Sequence, residues 1–412
     1  MAQAGLQLAE ADLQTARQWP NPRLQLGLKY DTTAALLAPS PWTVGAAIGL
    51  LLVSHAQRGA QAAQAEAGVR AARLLLHATS WSVQAQVQRA YVALWSAQRQ
   101  TALQQHVVDA NLELQGRIAE RAQSGLDSPL AAALAQQEAQ TAALQRTRDR
   151  GREIAAHAAL AATIGVPDAT LRAVHIDFTT LDSTPPQPDT ARLAHLRAIA
   201  LERRDDVRAA WQRVQAAQAT LDRALAQRDG GPPTIAPGAE RDQGATRLTA
   251  TAAIPLPLFN QHQGQIAAAR ARLAQKQAAL QQVQARALAR IERAEATLQA
   301  AQRETRQADS LHAADLALLQ ADETARGKGW IGPVQVLRTR LRALAAEQAG
   351  LQAGAAQWQA LADLQAALQH DLARTGTQMP KDAAPASPAH AQPATPPHAA
   401  AVAWHRVMPG VR

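Results

Sequence analysis

The residue types that do chemistry are present in this chain, but spacing does not bring them together. Twelve histidines are scattered over 412 residues. No two of them stand at metal-ligand spacing on one helix face beside a carboxylate. His390, His398 and His405 gather near the C-terminus, where a metal could bind transiently, although solvated tail residues are the simpler reading. Arg203, Arg204, Asp205 and Asp206 are adjacent charges that cancel. Gly230-Gly231-Pro232-Pro233 breaks a loop and lacks the helix N-terminus that a phosphate cradle needs. No G-x-S-x-G, H-E-x-x-H or P-loop occurs in context. The absence of cysteine removes thiol nucleophiles, thiolate zinc sites, disulfides and a lipidated N-terminal Cys. These observations point away from an enzyme, and neither a cofactor nor a resident metal is expected.

Charge excludes a second class. Lys+Arg number 42 against 33 Asp+Glu, a net +9, and lysine occurs only at Lys29, Lys276, Lys328 and Lys381. Phosphate backbones are held by clustered basic side chains. Here the arginines are dispersed among Glu and Asp, so no nucleic-acid partner is expected. Aromatics make up 3%, and the dominance of Ala, Gln, Arg, Leu and Glu reads as long helices rather than a layered α/β core. No window of 18 uninterrupted apolar residues exists, so a transmembrane helix is not expected. Residues 1–19 contain Glu10, Asp12 and Arg17 and no apolar core, so they are not a secretory signal.

The chain repeats itself. Arg89-Ala90, Leu94, Ala97-Gln98-Arg99 and Thr101 recur 204 positions later as Arg293-Ala294, Leu298, Ala301-Gln302-Arg303 and Thr305. Gly125 and Pro129 recur at the same offset as Gly329 and Pro333. Ala9, Ala11, Leu13 and Ala16 match Ala217, Ala219, Leu221 and Ala224 at 208. The drift falls around the loops at 31–42 and 229–245, where length changes cost little. The expected organisation is a first repeat over 1–167, a linker over 168–187, a second repeat over 188–374 and a Pro/Ala/His-rich disordered tail over 375–412.

Each repeat reads helix, hairpin, long helix, tight turn, helix. In the first, the opening helix stops at Trp19-Pro20-Asn21-Pro22. Leu24, Leu26, Leu28 and Tyr30 then alternate with Arg23, Gln25, Gly27 and Lys29, the period of a half-apolar strand. Over 43–53, Val44, Ala46, Ile48, Leu50 and Leu52 form a second apolar face. The second repeat predicts a weaker strand near 234–237 and a better one over 247–258, carrying Leu248, Ile254 and Leu256. Runs of 60–124 and 265–326 lack proline, and each predicts a helix of roughly 95 Å. Ile266, Leu273, Leu280, Ile291 and Leu298 follow spacings of seven, broken once by eleven, a coiled-coil seam with a stutter.

Four strands cannot close a pore, and an open edge cannot sit in lipid. Three chains would supply a closed twelve-stranded barrel, with Leu24, Leu26, Leu28, Ile48, Leu50, Leu52, Leu248, Ile254 and Leu256 facing lipid and Gln25, Lys29, Thr43 and Thr249 facing the lumen. Periodicity alone equally allows a soluble coiled-coil scaffold whose hairpins pack on helix ends.

Ile254-Pro255-Leu256-Pro257-Leu258-Phe259-Asn260-Gln261-His262-Gln263-Gly264-Gln265-Ile266-Ala267-Ala268-Ala269-Arg270-Ala271 resembles the strand-to-helix signature of TolC-type outer-membrane efflux proteins, closest to their cation-efflux, CzcC-like branch. The stretch from Ala200 to Ala210, with Arg203-Arg204-Asp205-Asp206 at its centre, is similar to the same family's motif after the mid-chain linker. Ser124-Gly125-Leu126-Asp127-Ser128-Pro129 and Lys328-Gly329-Trp330-Ile331-Gly332-Pro333 resemble its two helical-hairpin tips. The similarity runs from residue 1 to about 372.

The resemblance implies a mainly α fold with a small β part: a tandem repeat of long helical hairpins and two β-hairpins, assembled as a homotrimeric α/β-barrel channel. Such a channel crosses the outer-membrane lipid, extends its helices into the periplasm and works with a periplasmic adaptor and an inner-membrane RND pump. It implies passive export, of heavy-metal cations in the branch it most resembles, and of drugs or polypeptide elsewhere in the fold. Gly125, Leu126, Asp127, Ser128, Gly329, Trp330, Ile331 and Gly332 would form the adaptor-docking tips. Asp322 and Glu323, one to two turns before the second tip, would ring the aperture and constrict it or attract cations. The counterpart of the helix expected over 188–210 would lie before Met1, so the chain reads as starting inside a helix, without that segment or the export signal.

Overall fold

A computed structural model describes residues 1–32, 40–188, 190–228, 230–242 and 245–372. Met1–Asp371 form one compact unit. The tail, with His390, His398 and His405, lies outside the described residues. In chain order the elements are α1 (Ala2–Arg17), β1 (Arg23–Tyr30), β2 (Trp42–Leu51), α2 (His55–Gln123), α3 (Pro129–Ile164), α4 (Asp168–Arg172), α5 (Thr190–Arg203), α6 (Asp205–Ala226), β3 (Thr234–Asp242), β4 (Ala245–Ala253), α7 (Gln263–Gly327) and α8 (Pro333–Leu368).

The two long helices exceed the expected runs slightly. α2 has 69 residues and α7 has 65, about 100 Å each at 1.5 Å per residue. The Ser54 hydroxyl accepts from the Gln57 N–H and starts α2. Helices of this length need lateral support, and the side chains that supply it are small. Ala67, Ala71, Ala85, Ala287, Ala294 and Ala301 are buried between leucine, valine and isoleucine anchors such as Leu94, Ile291 and Leu298. Alanine at a helix contact lets the axes approach toward the short end of the 8–10 Å packing range. α2 is the hub, packing on α1, α3, α6 and α8, while α7 packs on α6 and α8.

The four strands form one antiparallel sheet in the order β1-β2-β3-β4, so β2 and β3 join the two hairpins. Two strand ends differ from expectation. β4 stops at Ala253, which leaves Ile254 and Leu256 in the connection to α7. Pro255 and Pro257 have no N–H for a ladder. Leu52 likewise lies one residue past β2, where its N–H bonds the Pro233 carbonyl. β3 runs further than predicted, to Asp242, because strands on both sides supply partners.

The helix expected over 188–210 is broken. Arg204 leaves helical geometry (ψ 127°) between α5 and α6, and its side chain is 1% exposed. The guanidinium forks onto both Asp206 carboxylate oxygens, at 3.0 and 2.6 Å. It also donates to the Ala367 carbonyl in the last turn of α8, where a cation is favoured by the helix dipole. The linker residues are docked. Asp182 accepts from Trp95 Nε1 at 2.9 Å and from Arg99 at 2.6 Å. Leu181 joins Val92, Trp95 and Ala355 in a buried cluster.

Candidate functional site

Two regions follow from this scaffold: the sheet, with its two unlike faces, and the turns that close the helical hairpins.

The strand register sorts the sheet into faces. Leu24 pairs with Ile48, Leu26 with Ala46 and Leu28 with Val44. Leu50 pairs with Ile235 and Leu248 with Ala239. Since paired residues share a face, these side chains form an apolar surface, broken at its loop end by Arg241 opposite Val44, and it is bare: Leu24, Leu26, Leu28, Ile48, Leu50 and Leu248 are all exposed, Leu248 to 88%. The opposite face carries Arg23, Gln25, Lys29, Thr43, Glu240, Asp242, Arg247 and Thr249. Thr43 donates to Asp242 at 2.7 Å, and Arg247 pairs with the other Asp242 oxygen at 2.8 Å. The expected lumen residues Gln25, Lys29, Thr43 and Thr249 therefore share this polar face.

Aromatic side chains mark both ends of the apolar surface. Tyr30 and Trp42 meet edge-to-face at 4.8 Å at the loop end. At the helix end, the Arg58 guanidinium lies 3.7 Å over the Trp19 ring. The eight residues of β1 and ten of β2 span roughly 27 and 34 Å at about 3.4 Å per residue. Tilted by about 40°, they rise about 20–26 Å, close to the apolar band of outer-membrane barrels. Trp19 was not expected in this role, because Pro20 and Pro22 draw attention to chain termination instead.

The seam between the two hairpins is tight at Pro237-Gly238. Paired positions between β2 and β3 run from Ala47 opposite Gly238 to Leu50 opposite Ile235, with the rungs between them missing, as a proline without an N–H requires. A Cβ on Gly238 would lie 2.7 Å from the Ala46 carbonyl oxygen and 2.7 Å from the Ala47 Cβ.

Both helical turns are built alike. Gly125 and Gly329 are left-handed, at φ +72° and +76°. The Leu126 N–H reaches Arg121 O and the Gly125 N–H reaches Ala122 O. Trp330 and Gly329 make the same bonds to Ala325 and Arg326. This is the Schellman arrangement with an apolar residue after the glycine. Ser128 then caps α3 by accepting from the Ala131 N–H at 3.1 Å. Gly332 precedes α8, and proline takes the first turn of each new helix. Leu126 and Trp330 point outward, 68% and 73% exposed, and Ile331 is half-buried. Leu114, Ile118, Ala135 and Leu337 form one core beneath the turns.

The turns differ in charge. Arg121 grips Asp127 through Nε at 2.7 Å and a terminal nitrogen at 3.3 Å. These bonds, helped by the charges of Arg121 and Arg338, hold the Asp127 carboxyl below the usual carboxylate range. The equivalent residues of the second turn are Ala325 and Ile331, and there the Lys328 ammonium lies 4.7 Å over the Trp330 ring. Asp322 is drawn to its own hairpin partner: its Oδ2 accepts from the buried Thr339 hydroxyl at 2.6 Å. Glu323 is exposed. Among the described residues, no group of three His, Cys, Asp or Glu could hold a metal ion, and no helix is long and apolar enough to cross a membrane.

Solved structures share this architecture. A membrane protein from Pseudomonas aeruginosa superposes with TM-score 0.73 at 20% identity, covering 89% of this chain and 89% of that one. The chain shares its fold with solved outer-membrane channels. The outer membrane protein VceC of Vibrio cholerae matches that channel fold at TM-score 0.72 and 18% identity, over 90% of this chain and 92% of its own. The open-state MtrE outer membrane channel of Neisseria gonorrhoeae gives 0.70 and 19%, over 90% and 85%. Residues 196–370 match the family model described as outer membrane efflux protein. No curated protein is similar enough to count as a relative.

Proposed function

We propose that three copies of this chain form an outer-membrane efflux duct: a twelve-stranded barrel continued by a helical tunnel into the periplasm. The observation that carries this reading is the unequal burial of equivalent helices. α6 lies between α2 and α7, whereas α1, its counterpart in the repeat, packs on α2. Eight residues of α6 are buried and none of α1. A second chain offering its α7 to α1 supplies the missing neighbour, and the same step joins the free edge of β4 to that of β1. Repeated three times, it leaves no open strand edge in lipid. The bare apolar face favours this over a soluble scaffold, which would have to leave that face in water.

The duct performs no chemistry. In this reading, Gly125 to Ser128 and Gly329 to Gly332 are the periplasmic tips that meet an adaptor, with Leu126 and Trp330 as apolar contacts, and an RND pump delivers the cargo. Heavy-metal cations are the proposed cargo, a choice supported by the likeness of residues 254–271 to the cation-efflux branch. Selection among ions then belongs to the pump. Asp322 is held by Thr339, which leaves Glu323 as the better candidate for an aperture charge. Deletion of the gene, with rescue by the full-length chain, tests the cargo: lowered tolerance to zinc, cobalt, cadmium, copper or silver supports metal export. Unchanged tolerance to all five rejects it and leaves drugs or polypeptide.

A further inference from the structure

A cavity of about 420 Å³ lies between α2, α3 and α8. Its wall includes Ser96, Gln100, Asp149, Arg152, Gln352 and Ala356. Asp149 is 1% exposed. Its Oδ1 is well served, accepting from Gln145 at 3.0 Å and Arg152 at 2.9 Å. Its Oδ2 has no partner, and neither has Oε1 of Gln100. Among the described residues, these two oxygens are the only buried side-chain atoms without a hydrogen bond, and both residues belong to the same cavity wall. A buried acceptor left unpaired is costly, more so on a carboxylate. The other repeat avoids that cost: α3 and α8 correspond at the 204-residue offset, and the position matching Asp149 is Ala353, also 1% exposed. The fold therefore accepts alanine in this environment.

We propose that the cavity is a binding site for a small organic cation, a primary ammonium on a short apolar body. An ammonium has three N–H donors and no acceptor, which suits a wall whose unpaired polar atoms are acceptors. Ala93, Ala97, Leu351 and Ala355 give the body an apolar lining. Oxygen donors alone do not suit the softer transition metals. The cavity opens on the side of α2 away from Tyr91, Trp95 and Arg99, which residues 177–182 cover.

The test is calorimetric titration of the detergent-purified full chain with n-butylammonium chloride, and with 1-butanol as the neutral comparison. Saturable ammonium binding, weakened about tenfold or more by Asp149→Ala, is the expected result, with butanol binding much more weakly. Ala356→Leu, which fills the cavity and leaves Asp149 intact, is expected to abolish binding. Both variants should elute as the parent does, which separates lost binding from lost folding. Absence of saturable binding, or equal binding by the parent and Asp149→Ala, would overturn the proposal and assign the two oxygens to water.

Discussion

Gly125 and Gly329 stand 204 positions apart in the chain and hold the same left-handed backbone, φ +72° and +76°. Each closes a long helix by the same pair of backbone hydrogen bonds and presents an apolar side chain immediately afterwards. Nothing lies within 4 Å of a Cβ built at either glycine, so conformation rather than space is what a substitution disturbs. Gly125→Ala and Gly329→Ala should each lower stability by about 1 kcal/mol, additively, with the assembly intact. Thermal unfolding of the single and double variants checks this.

Gly238→Ala should behave differently. Its Cβ would meet the backbone of β2, which cannot rotate away as a side-chain tip can. The seam between the two hairpins should fail, and the protein should be lost from the outer-membrane fraction while its helices remain. Fractionation and circular dichroism together distinguish that outcome from global unfolding.

Arg204→Ala should cost roughly 2–3 kcal/mol, because it leaves the half-buried Asp206 carboxylate and the end of α8 without their donor. Lysine should rescue little, since the two-pronged contact needs a planar fork. Chemical denaturation of both variants measures the difference.

Asp127 provides a pH prediction. Its carboxyl titrates below the ordinary carboxylate range when Arg121 grips it. The clasp therefore contributes fully above the unfolded carboxylate value and is lost only as pH falls through the lowered folded value. Amide exchange at residues 125–128 should stay protected under mild acid. In Arg121→Met, which has no clasp left to titrate, protection there should be weaker throughout and should no longer change with pH across the carboxylate range.

Trp330→Ala should separate folding from partnership. The side chain is 73% exposed, so stability should change by no more than about 0.5 kcal/mol, while affinity for the adaptor falls severalfold. Unchanged adaptor binding, measured by surface plasmon resonance, would remove Trp330 from the docking surface.

What the residue pattern conveyed depended on whether the cause was local. The turns at Gly125 and Gly329 were readable because glycine and proline act within a few residues, and the faces of β1 and β2 because alternation is a property of the strand itself. The break at Arg204 was not: beside the neighbouring Asp206 it is anchored by Ala367, 163 residues away, and a run without proline or glycine reads as continuous. The alternation overextends β4 because Ile254 and Leu256 continue it after Ala253, where Pro255 ends the ladder. Asp322 looked free for the aperture because Thr339 approaches it only once the hairpin has folded.

Closure by three chains is the central claim, and the subunit count of the particle extracted from native membranes measures it most directly. Native mass spectrometry in detergent should give three chains per particle, and the particle should open discrete ion-conducting steps in a planar bilayer. A monomer recovered without detergent, or a trimer that never conducts, would contradict the account.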